Sequence, residues 1–300
     1  MQVGRRSFLF ISVIFLLLGG ITGAEGEEKE SFYSKSNRLI VRLEHVEKMA
    51  AEGSSKVKEQ SKSDGTAFFV QWADELYVVT ARHVTEREYD LRAKVRIKDL
   101  RTGAIKVAFL NLPRKRWVYH PNQGDRDTRS VDVAAMKINW LEDHQVMTFL
   151  YEMAGQKEGG GNQLSLQDPE PPQPVLVFGF PSEIGFELTE QRPMGRVGIV
   201  SMVAGHKFLK MEGKYVAERA CLIDIGAFPG NSGSPVINQF SLYGETQIKL
   251  LGVLIGTNPK RRYAVMEPVS RVRETLEIAR KQSLEGSTFW SLTEKSPESP

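Results

Sequence analysis

Cysteine is almost absent from this chain of 300 residues, since Cys221 is its single cysteine. One cysteine excludes any disulfide within the chain, so the fold must be held by its hydrophobic core alone. Cys221 lies in an apolar run, Ala-Cys-Leu-Ile at 220–223. This setting favours a buried and chemically inert thiol.

The chain also carries little net charge, +3 at neutral pH, from 40 basic and 37 acidic residues. Nucleic-acid-binding domains depend on a strong basic surface, and this balance gives no reason to expect nucleic acid as a partner. Short basic clusters at 114–116 and 260–262 are typical of solvated surface. The 41% hydrophobic and 26% charged content is that of an ordinary globular protein.

The one long apolar run, residues 8–18, follows Arg5 and Arg6. It ends in small residues up to Ala24, which is the pattern of an export signal peptide at 1–24. An uncleaved anchor is the alternative, because residues 7–24 approach the lower limit for spanning a bilayer. We therefore expect a secreted or periplasmic protein with no membrane contact beyond such an anchor.

The rest of the chain alternates short β-rich runs with turn residues. A Gly- and Pro-rich stretch at 155–174 divides these runs about evenly. The pattern predicts an all-β protein of two barrels or sandwiches, at 64–154 and 175–282, joined by that connection. Three further segments complete the prediction: a charged leader with a first strand at 25–63, an amphipathic helix over 269–281, and a disordered tail at 283–300.

Single strands can also be placed on the sequence. Residues 66–71 and 76–80 predict a hairpin with its turn at 73–75, and 50–63 predicts a polar connection. The other predicted strands are 39–46, 95–97, 105–110, 116–119, 131–138, 175–180, 196–203, 215–223, 235–237 and 249–255.

Residues 228–235, Phe-Pro-Gly-Asn-Ser-Gly-Ser-Pro, place Ser232 among glycines. The proline removes a backbone donor and the glycines adopt dihedrals that other residues avoid, so the segment forms a tight loop. Backbone N–H groups can converge there beside the Ser232 hydroxyl, as acyl transfer requires for its developing oxyanion. The same residues also form ordinary turns, so the motif predicts a nucleophile only if a base and an acid lie elsewhere.

His83 follows the apolar strand 76–80, and Asp132 lies at the start of the apolar run 131–138. Taken alone, each residue fits a structural role at a strand end. A serine hydroxyl, however, needs an adjacent base, and a carboxylate orients the imidazole that serves as that base. His83, Asp132 and Ser232 together therefore predict a catalytic triad.

Several segments resemble trypsin-like (chymotrypsin-fold) serine peptidases. Residues 65–70 (GTAFFV) and 79–84 (VTARHV) are similar to the catalytic-histidine region, 131–134 (VDVA) to the aspartate strand, and 230–235 (GNSGSP) to the nucleophile loop. Residues 178–181 (FGFP) and 251–256 (LGVLIG) resemble strands of the second barrel. The resemblance spans about 64–280 and is strongest to the bacterial branch that includes glutamyl endopeptidases and HtrA-type proteases. We expect no PDZ domain.

The resemblance implies two six-stranded antiparallel β-barrels with a C-terminal helix, and a serine endopeptidase acting on protein or peptide substrates. It implies His83 as the general base, Asp132 as its orienter and Ser232 as the nucleophile. The oxyanion hole is implied at Gly230, Asn231 and Ser232, with the N–H groups of Gly230 and Ser232 as its donors. No cofactor is expected, since this chemistry needs none.

No metal is expected either. His120 with Asp125 and Asp127 lacks the spacing of a metal site.

Substrate specificity follows from the same resemblance. The implied substrate-binding residues are Gly226, Ala227, Leu254, Ile255, Gly256 and Thr257. None of them carries a charge, so we expect a small or medium apolar residue at P1.

Asn231 stands where digestive trypsins carry an aspartate that pairs with a newly freed N-terminus. We therefore expect activity that does not depend on cleavage to one N-terminal residue.

Two other functions compete with peptidase activity. The first is a catalytically silent trypsin-like fold that acts as a binding or scaffolding protein. The second is acyl transfer on a non-peptide ester. All three triad residues are retained, which argues against the silent relative.

Overall fold

Antiparallel strands account for most of the described chain. The computed structural model describes residues 39–50, 57–98, 102, 104–121, 131–138, 165–182, 192–204, 208–211, 214–242, 245–258 and 262–293. Most of its strands belong to two sheets, an open sheet from the N-terminal half and a closed barrel from the C-terminal half. The prediction of a mostly β protein is confirmed, with a small helical content.

The open sheet contains seven strands. They are β1 (Ile40–Ala50), β2 (Val57–Trp72), β3 (Glu75–Thr80), β4 (Leu91–Lys98), β5 (Ile105–Leu112), β6 (Val118–Tyr119) and β7 (Ala134–Lys137). They pair in the order β5–β4–β1–β2–β3–β7–β6, and among the described residues no pairing joins β5 to β6. The expected closed, six-stranded first barrel is therefore wrong. Strand β6 has only two residues, and these pair with β7.

Strands β1 and β2 are longer than the sequence predicts. They pair from Ile40 with Phe68 to Ala50 with Val57, although 50–63 reads as a polar connection. Polar side chains are tolerated in an antiparallel ribbon because its faces need not both be buried. The open sheet therefore begins within the segment assigned to the leader and first strand.

The hairpin between β2 and β3 confirms a prediction. Trp72 pairs with Glu75, and the two residues between them, Ala73 and Asp74, have φ values of 48° and 63°. Positive φ at both central residues is the geometry of the two-residue turns whose twist matches that of paired strands.

Six strands close the barrel. They are β9 (Gln173–Gly179), β10 (Met194–Val203), β13 (Cys221–Asp224), β14 (Pro235–Leu242), β15 (Glu245–Asn258) and β16 (Tyr263–Pro268). The ring runs β9–β10–β13–β16–β15–β14 and returns to β9. The second six-stranded barrel is confirmed.

Three short strands lie outside this ring. Strand β8 (Ser165–Leu166), from the predicted connection, pairs in parallel with β15. Strands β11 (Phe208–Met211) and β12 (Lys214–Glu218) form a separate hairpin. Residues 155–164 lie outside the described part of the chain.

Two helices and one 3₁₀ turn (Arg114–Arg116) connect or close the described strands. Helix α1 (Arg82–Thr85) is a single turn, and helix α2 (Val269–Thr293) begins at the predicted residue. Helix α2 then continues past 281 through much of the predicted disordered tail. Its added segment contains no proline, and Gly286 is tolerated in a helix at a cost of about 1 kcal/mol. Residues 294–300 lie outside the described residues.

Helix α2 is attached by its apolar face. Val272 and Leu276 are fully buried in one core cluster with Phe68 of the open sheet and Leu250 and Val253 of the barrel. Full burial of such a side chain stabilises the fold by about 1.5–3 kcal/mol, so packing rather than helix propensity fixes α2. This shared core also fixes the open sheet against the barrel. Among the described residues, neither helix has the length and apolar character needed to cross a bilayer.

Candidate active site

His83 lies in helix α1, which follows strand β3 directly. Val84 and Thr85 of the same turn are buried, whereas 43% of the His83 side chain is exposed. The buried neighbours anchor the turn and direct the imidazole outward. The strand that precedes it is fully buried at Val78 and Val79, which gives the histidine a rigid base.

Asp132 contacts His83 twice. Its Oδ2 accepts a hydrogen bond of 2.6 Å from Nδ1 of the imidazole, and its Oδ1 accepts one of 2.9 Å from the backbone N–H of His83. A carboxylate at Nδ1 selects the tautomer whose Nε2 carries the lone pair. Val131 and Val133 on either side of Asp132 are buried, so the carboxylate is held in place. The structure brings these two predicted residues together.

The pKa of His83 reflects two opposing effects. Burial of the imidazole lowers its pKa, while the hydrogen bond and the negative charge of Asp132 raise it, and the net direction is upward from the usual value. Asp132 therefore stabilises the protonated imidazolium, the form that a general base becomes when it accepts a proton.

The loop around Ser232 depends on two glycines in left-handed conformations. Gly230 has a φ of 91° and Gly233 a φ of 87°, values that favour glycine over residues with a Cβ. A Cβ on Gly230 would lie 2.5 Å from the carbonyl oxygen of Phe180 and from the backbone N of Ser182. The predicted tight loop is therefore present at these residues.

Thr66 binds this loop from strand β2. Its N–H donates to the carbonyl oxygen of Ser232 at 2.8 Å, and its hydroxyl donates to the carbonyl oxygen of Gly230 at 2.9 Å. The hydroxyl oxygen also accepts the N–H of Phe180 at 3.0 Å. Thr66 is fully buried, so these bonds are shielded from water. No sequence signal singled out this residue.

Two backbone N–H groups of the loop remain unengaged. Among the described residues, the N–H groups of Gly230 and Ser232 make no hydrogen bond. The carbonyl of Pro229 accepts the N–H of Ser182 at 2.9 Å and the carbonyl of Asn231 accepts the N–H of Ser234 at 3.0 Å. Carbonyl and N–H of one trans peptide point in opposite directions. These two contacts therefore direct both donors away from the protein atoms that hold the loop.

Asn231 requires a correction as a member of the oxyanion hole. Its N–H donates to the carbonyl oxygen of Phe228 at 3.2 Å. This donor closes the turn and is not available to an oxyanion. The side chain of Asn231 is buried, and its Oδ1 has no hydrogen-bond partner among the described residues.

The backbone of Ser232 and the turn that carries His83 both lie close to Gly65. Gly65 lies between them, because a Cβ there would be 3.0 Å from both the carbonyl oxygen of Ser232 and the side chain of Val84. In the described part of the chain, the Ser232 hydroxyl makes no hydrogen bond with His83. Catalytic hydrogen bonds are often long before substrate binds and shorten in the complex.

The predicted apolar pocket wall is partly wrong. Ala227 and Leu254 are 2% and 0% exposed and lie in the barrel core with Met266. Leu254 lies in strand β15, whose alternation turns its side chain into the barrel, and Ala227 follows the end of strand β13. Ile255 is 6% exposed and belongs to another core cluster. These three residues do not line an open pocket.

The other three predicted substrate-binding residues are partly exposed: Gly226, Gly256 and Thr257. Within the described part of the chain, a Cβ on Gly256 would meet no atom within 4 Å, and one on Gly226 would meet only Nη1 of Arg196, at 3.6 Å. Open space therefore borders both glycines.

Arg196 was not predicted from the sequence. Its Nη1 donates to the carbonyl oxygen of Gly226 at 2.5 Å, and its guanidinium lies 4.4 Å from the centre of the Phe228 ring. Among the described residues no carboxylate pairs with it. A positive charge thus borders the expected pocket floor.

Glu267 is a second residue that sequence reasoning missed. It is fully buried in strand β16, and its Oε1 accepts the backbone N–H of Asp132 at 3.1 Å. The only sequence signal for it is a glutamate inside the apolar run 263–268.

His120 contacts Glu274 rather than the residues weighed with it as metal ligands. Its Nε2 lies 2.7 Å from Oε2 of Glu274, while Asp125 and Asp127 lie outside the described residues. Among those described, no three His, Cys, Asp or Glu side chains are grouped as metal ligands. Cys221 is fully buried, which confirms the predicted burial, and burial raises the pKa of its thiol to about 12, which favours the unreactive thiol form.

Comparison with solved structures finds several chains that are similar to this one. The Rv3671c protease from M. tuberculosis, in its active form, matches with a TM-score of 0.45 and 16% identity over 81% of this chain and 82% of that one. An HtrA-type protease, AlgW with a decapeptide, matches with a TM-score of 0.47 and 16% identity over 84% and 66%. Deg5 matches with a TM-score of 0.45 and 20% identity over 82% and 90%. No curated protein matches the chain.

A family comparison covers the candidate site itself. Residues 65–241 match the family described as the trypsin-like peptidase domain. The matched segment contains His83, Asp132 and Ser232 and exceeds half of the 300 residues. The chain therefore belongs to the trypsin-like peptidase domain family.

Proposed function

We propose that the protein is an exported serine endopeptidase that hydrolyses peptide bonds through an acyl-enzyme. The observation that carries the proposal is the pair of hydrogen bonds, 2.6 and 2.9 Å long, that bind His83 to Asp132. The Ser232 loop with its two unengaged N–H groups supports it, and so does membership of the trypsin-like peptidase domain family.

In the first half of the reaction, Ser232 Oγ attacks the carbonyl carbon of the peptide bond while Nε2 of His83 takes the hydroxyl proton. Asp132 stabilises the imidazolium that results. The imidazolium then gives this proton to the amide nitrogen, the C–N bond breaks and the amine product leaves. The acyl group remains bonded to Ser232 Oγ.

In the second half, a water molecule attacks the acyl carbon while His83 takes one of its protons. The bond to Ser232 Oγ breaks, the carboxylic acid product leaves, and His83 returns the proton to Oγ. The enzyme is regenerated, and the net change is addition of water across one peptide bond.

Negative charge on the attacked carbonyl oxygen is stabilised by the N–H groups of Gly230 and Ser232. Preorganised donors of this kind need no reorganisation during reaction, and loss of one typically lowers kcat about 10²- to 10³-fold. Pro229 and Asn231 act through their carbonyl groups, which fix the peptide planes of the two donors.

We still propose a small or medium apolar P1 residue, but the residues that support this proposal have changed. Ala227, Leu254 and Ile255 no longer support it. Gly226 and Gly256 border open space, and the guanidinium of Arg196 beside Gly226 opposes a basic P1 side chain through like charge.

Two alternatives are separable from endopeptidase activity. A silent binding or scaffolding protein would bind peptides without forming a covalent serine adduct. An esterase would form that adduct and cleave activated esters but leave unfolded protein substrates intact.

Fluorophosphonate labelling of the purified protein tests the proposal. We expect covalent labelling that is lost in Ser232→Ala, together with cleavage of an unfolded protein substrate. Ser234→Ala is the matched control, because Ser234 lies two residues further on and its buried hydroxyl has no partner among the described residues. Labelling that persists in Ser232→Ala, or is lost equally in Ser234→Ala, would contradict the nucleophile assignment.

Export through residues 1–24 is part of the same proposal, as is placement in the branch that includes glutamyl endopeptidases and HtrA-type proteases. Residues 1–24 lie outside the described part of the chain. N-terminal sequencing of the protein recovered from its native host tests export: a start at Glu25 supports a cleaved signal, and a retained Met1 supports the anchor.

A further inference from the structure

Glu267 connects the two halves of the candidate site. It lies in strand β16, opposite Val253, which in turn pairs with Pro235 at the end of the Ser232 loop. From there its Oε1 accepts the backbone N–H of Asp132 at 3.1 Å. One side chain therefore joins the barrel that carries the nucleophile loop to the segment that carries the acid of the His83–Asp132 pair.

The environment of Glu267 disfavours a negative charge. The residue is fully buried, and its Oε2 makes no hydrogen bond among the described residues. Burial raises the pKa of its carboxyl to about 8, the Asp132 N–H hydrogen bond opposes this rise, and the Asp132 carboxylate adds to it. Burial therefore favours the neutral carboxylic acid over the carboxylate.

Other titratable or charged groups face Glu267 from the elements packed around it. They are Asp132 before β7, Arg271 and Glu274 on α2, and Cys221 on β13. Arg271 attracts a negative charge, but its Nη1 already donates to Oε2 of Glu274 at 2.7 Å. Glu274 also contacts His120. The single nearby cation of this set is thus shared with another carboxylate.

We propose that Glu267 is a positioning residue for the catalytic pair: as a buried, neutral acid it holds the backbone of Asp132 without placing a second negative charge beside the Asp132 carboxylate. This inference rests on the proposed function. Asp132 uses both of its carboxylate oxygens on His83, so its own side chain is not free to bind the barrel. The backbone contact with Glu267 supplies that attachment.

Ionisation of Glu267 would change the base directly. A second carboxylate next to Asp132 would favour the imidazolium form of His83, because an opposite charge nearby stabilises the charged form. Less unprotonated base would then be present at a given pH. Keeping Glu267 protonated avoids this effect throughout the neutral range.

Two substitutions separate hydrogen bonding from charge. Glu267→Gln keeps an acceptor for the Asp132 N–H and cannot ionise. Glu267→Leu has a similar volume and no acceptor. We expect kcat/KM of Glu267→Gln near that of the wild type at neutral pH. We expect kcat of Glu267→Leu to fall about 10- to 100-fold with little change in KM, because small displacements of catalytic groups cost rates of that order.

The deciding measurement is an NMR titration of the His83 imidazole, made in the Ser232→Ala background and assigned with a His83→Asn variant. With Glu267 present we expect the chemical shift of the His83 imidazole to change with pH in two steps, the second near pH 8 as Glu267 ionises. In the Glu267→Gln variant we expect a single step. Identical titration curves with and without the Glu267→Gln substitution would overturn the proposed electrostatic effect of Glu267 on His83. A folded Glu267→Leu enzyme with the kcat of the wild type would contradict the positioning role of Glu267. If Glu267→Gln loses as much activity as Glu267→Leu, the proposal that Glu267 acts as a neutral acid is overturned.

The titration does not depend on peptidase activity. Failure of fluorophosphonate labelling would therefore count against the proposed function alone. If Glu267→Leu does not fold, the comparison of wild type with Glu267→Gln still decides the proposal.

Discussion

The backbone N–H of Thr66 donates a hydrogen bond of 2.8 Å to the carbonyl oxygen of Ser232. This bond joins strand β2 of the open sheet to the nucleophile loop of the barrel. The Thr66 hydroxyl adds two further contacts, one to the carbonyl of Gly230 and one from the N–H of Phe180. A single buried threonine thus orders both the proposed nucleophile, Ser232, and the neighbouring proposed oxyanion donor, Gly230.

Removing the hydroxyl of Thr66 is expected to reduce both stability and activity. Thr66→Val keeps the shape but leaves the Phe180 N–H and the Gly230 carbonyl unpaired, at a cost of about 1–3 kcal/mol for a buried group. Thr66→Ser retains the hydroxyl and is the matched control. Urea denaturation and the rate of fluorophosphonate labelling measure the two effects. Equal stability and equal labelling of both variants would contradict this role.

Gly230 is expected to tolerate no side chain. Gly230→Ala combines an unfavourable φ of 91° with a Cβ 2.5 Å from backbone atoms of Phe180 and Ser182. We expect a loss of at least about 1–3 kcal/mol from the backbone conformation alone, together with loss of labelling. Gly256→Ala is the stability control, because a Cβ there meets no atom of the described residues within 4 Å. Similar thermal midpoints for both variants would refute the prediction.

Asp132→Asn is expected to lower the pKa of His83. The Asp132 hydrogen bond and charge are what hold this pKa above its usual value against the effect of burial. An asparagine also presents the wrong partner to Nδ1, and we expect kcat/KM to fall about 10³- to 10⁴-fold. NMR titration of the imidazole and peptide hydrolysis measure the two changes. Asp74→Asn, at the exposed turn before β3, is the control, and an equal effect there would argue against the pairing.

The buried acid at Glu267 predicts a stability that depends on pH. Its pKa rises from 4.5 to about 8 on folding, so between these values the folded chain holds a proton that the unfolded chain has released. Its contribution to the free energy of unfolding therefore falls as the pH rises through this window. Glu267→Gln lacks this proton, and its stability relative to the wild type should increase from pH 5 to pH 9. A difference that stays constant in urea denaturation would contradict the prediction.

Arg196 predicts the charge preference at P1. We expect basic P1 residues to be cleaved poorly and Arg196→Gln to improve their cleavage roughly fivefold, the equivalent of about 1 kcal/mol of like-charge repulsion. Cleavage after neutral P1 residues is the internal control. Cleavage profiling with a strong preference for Glu or Asp would instead identify Arg196 as a carboxylate-binding residue and overturn the apolar P1 proposal.

The sequence predicts those site residues whose roles depend on neighbours within a few positions of the chain. His83 and Asp132 adjoin apolar strands, and Ser232 lies among glycines that the loop requires, so each role leaves a trace within a few residues. The same holds for the Ala73–Asp74 turn. Periodicity within one segment can predict such features because the physical constraint acts within that segment.

The remaining features depend on contacts between distant segments. Glu267 meets Asp132 across 135 positions of the chain and Arg196 meets Gly226 across 30, and neither contact alters the pattern around either residue. Strand β16 escaped prediction because Pro268 leads straight into helix α2 without a turn. The open first sheet is also a tertiary outcome, since closure would require β5 to pair with β6, and among the described residues no pairing joins them.

The position of helix α2 near the C-terminus determines when the shared core can be completed during synthesis. His83 and Asp132 emerge from the ribosome well before Ser232, and the shared core that holds the two sheets together includes Val272 and Leu276 of α2. A growing chain therefore carries the proposed base before the proposed nucleophile, and carries both before the helix that completes their shared core. The proposed site would therefore be complete only when nearly all of the chain has been made, because its two sheets share a core with a helix near the C-terminus.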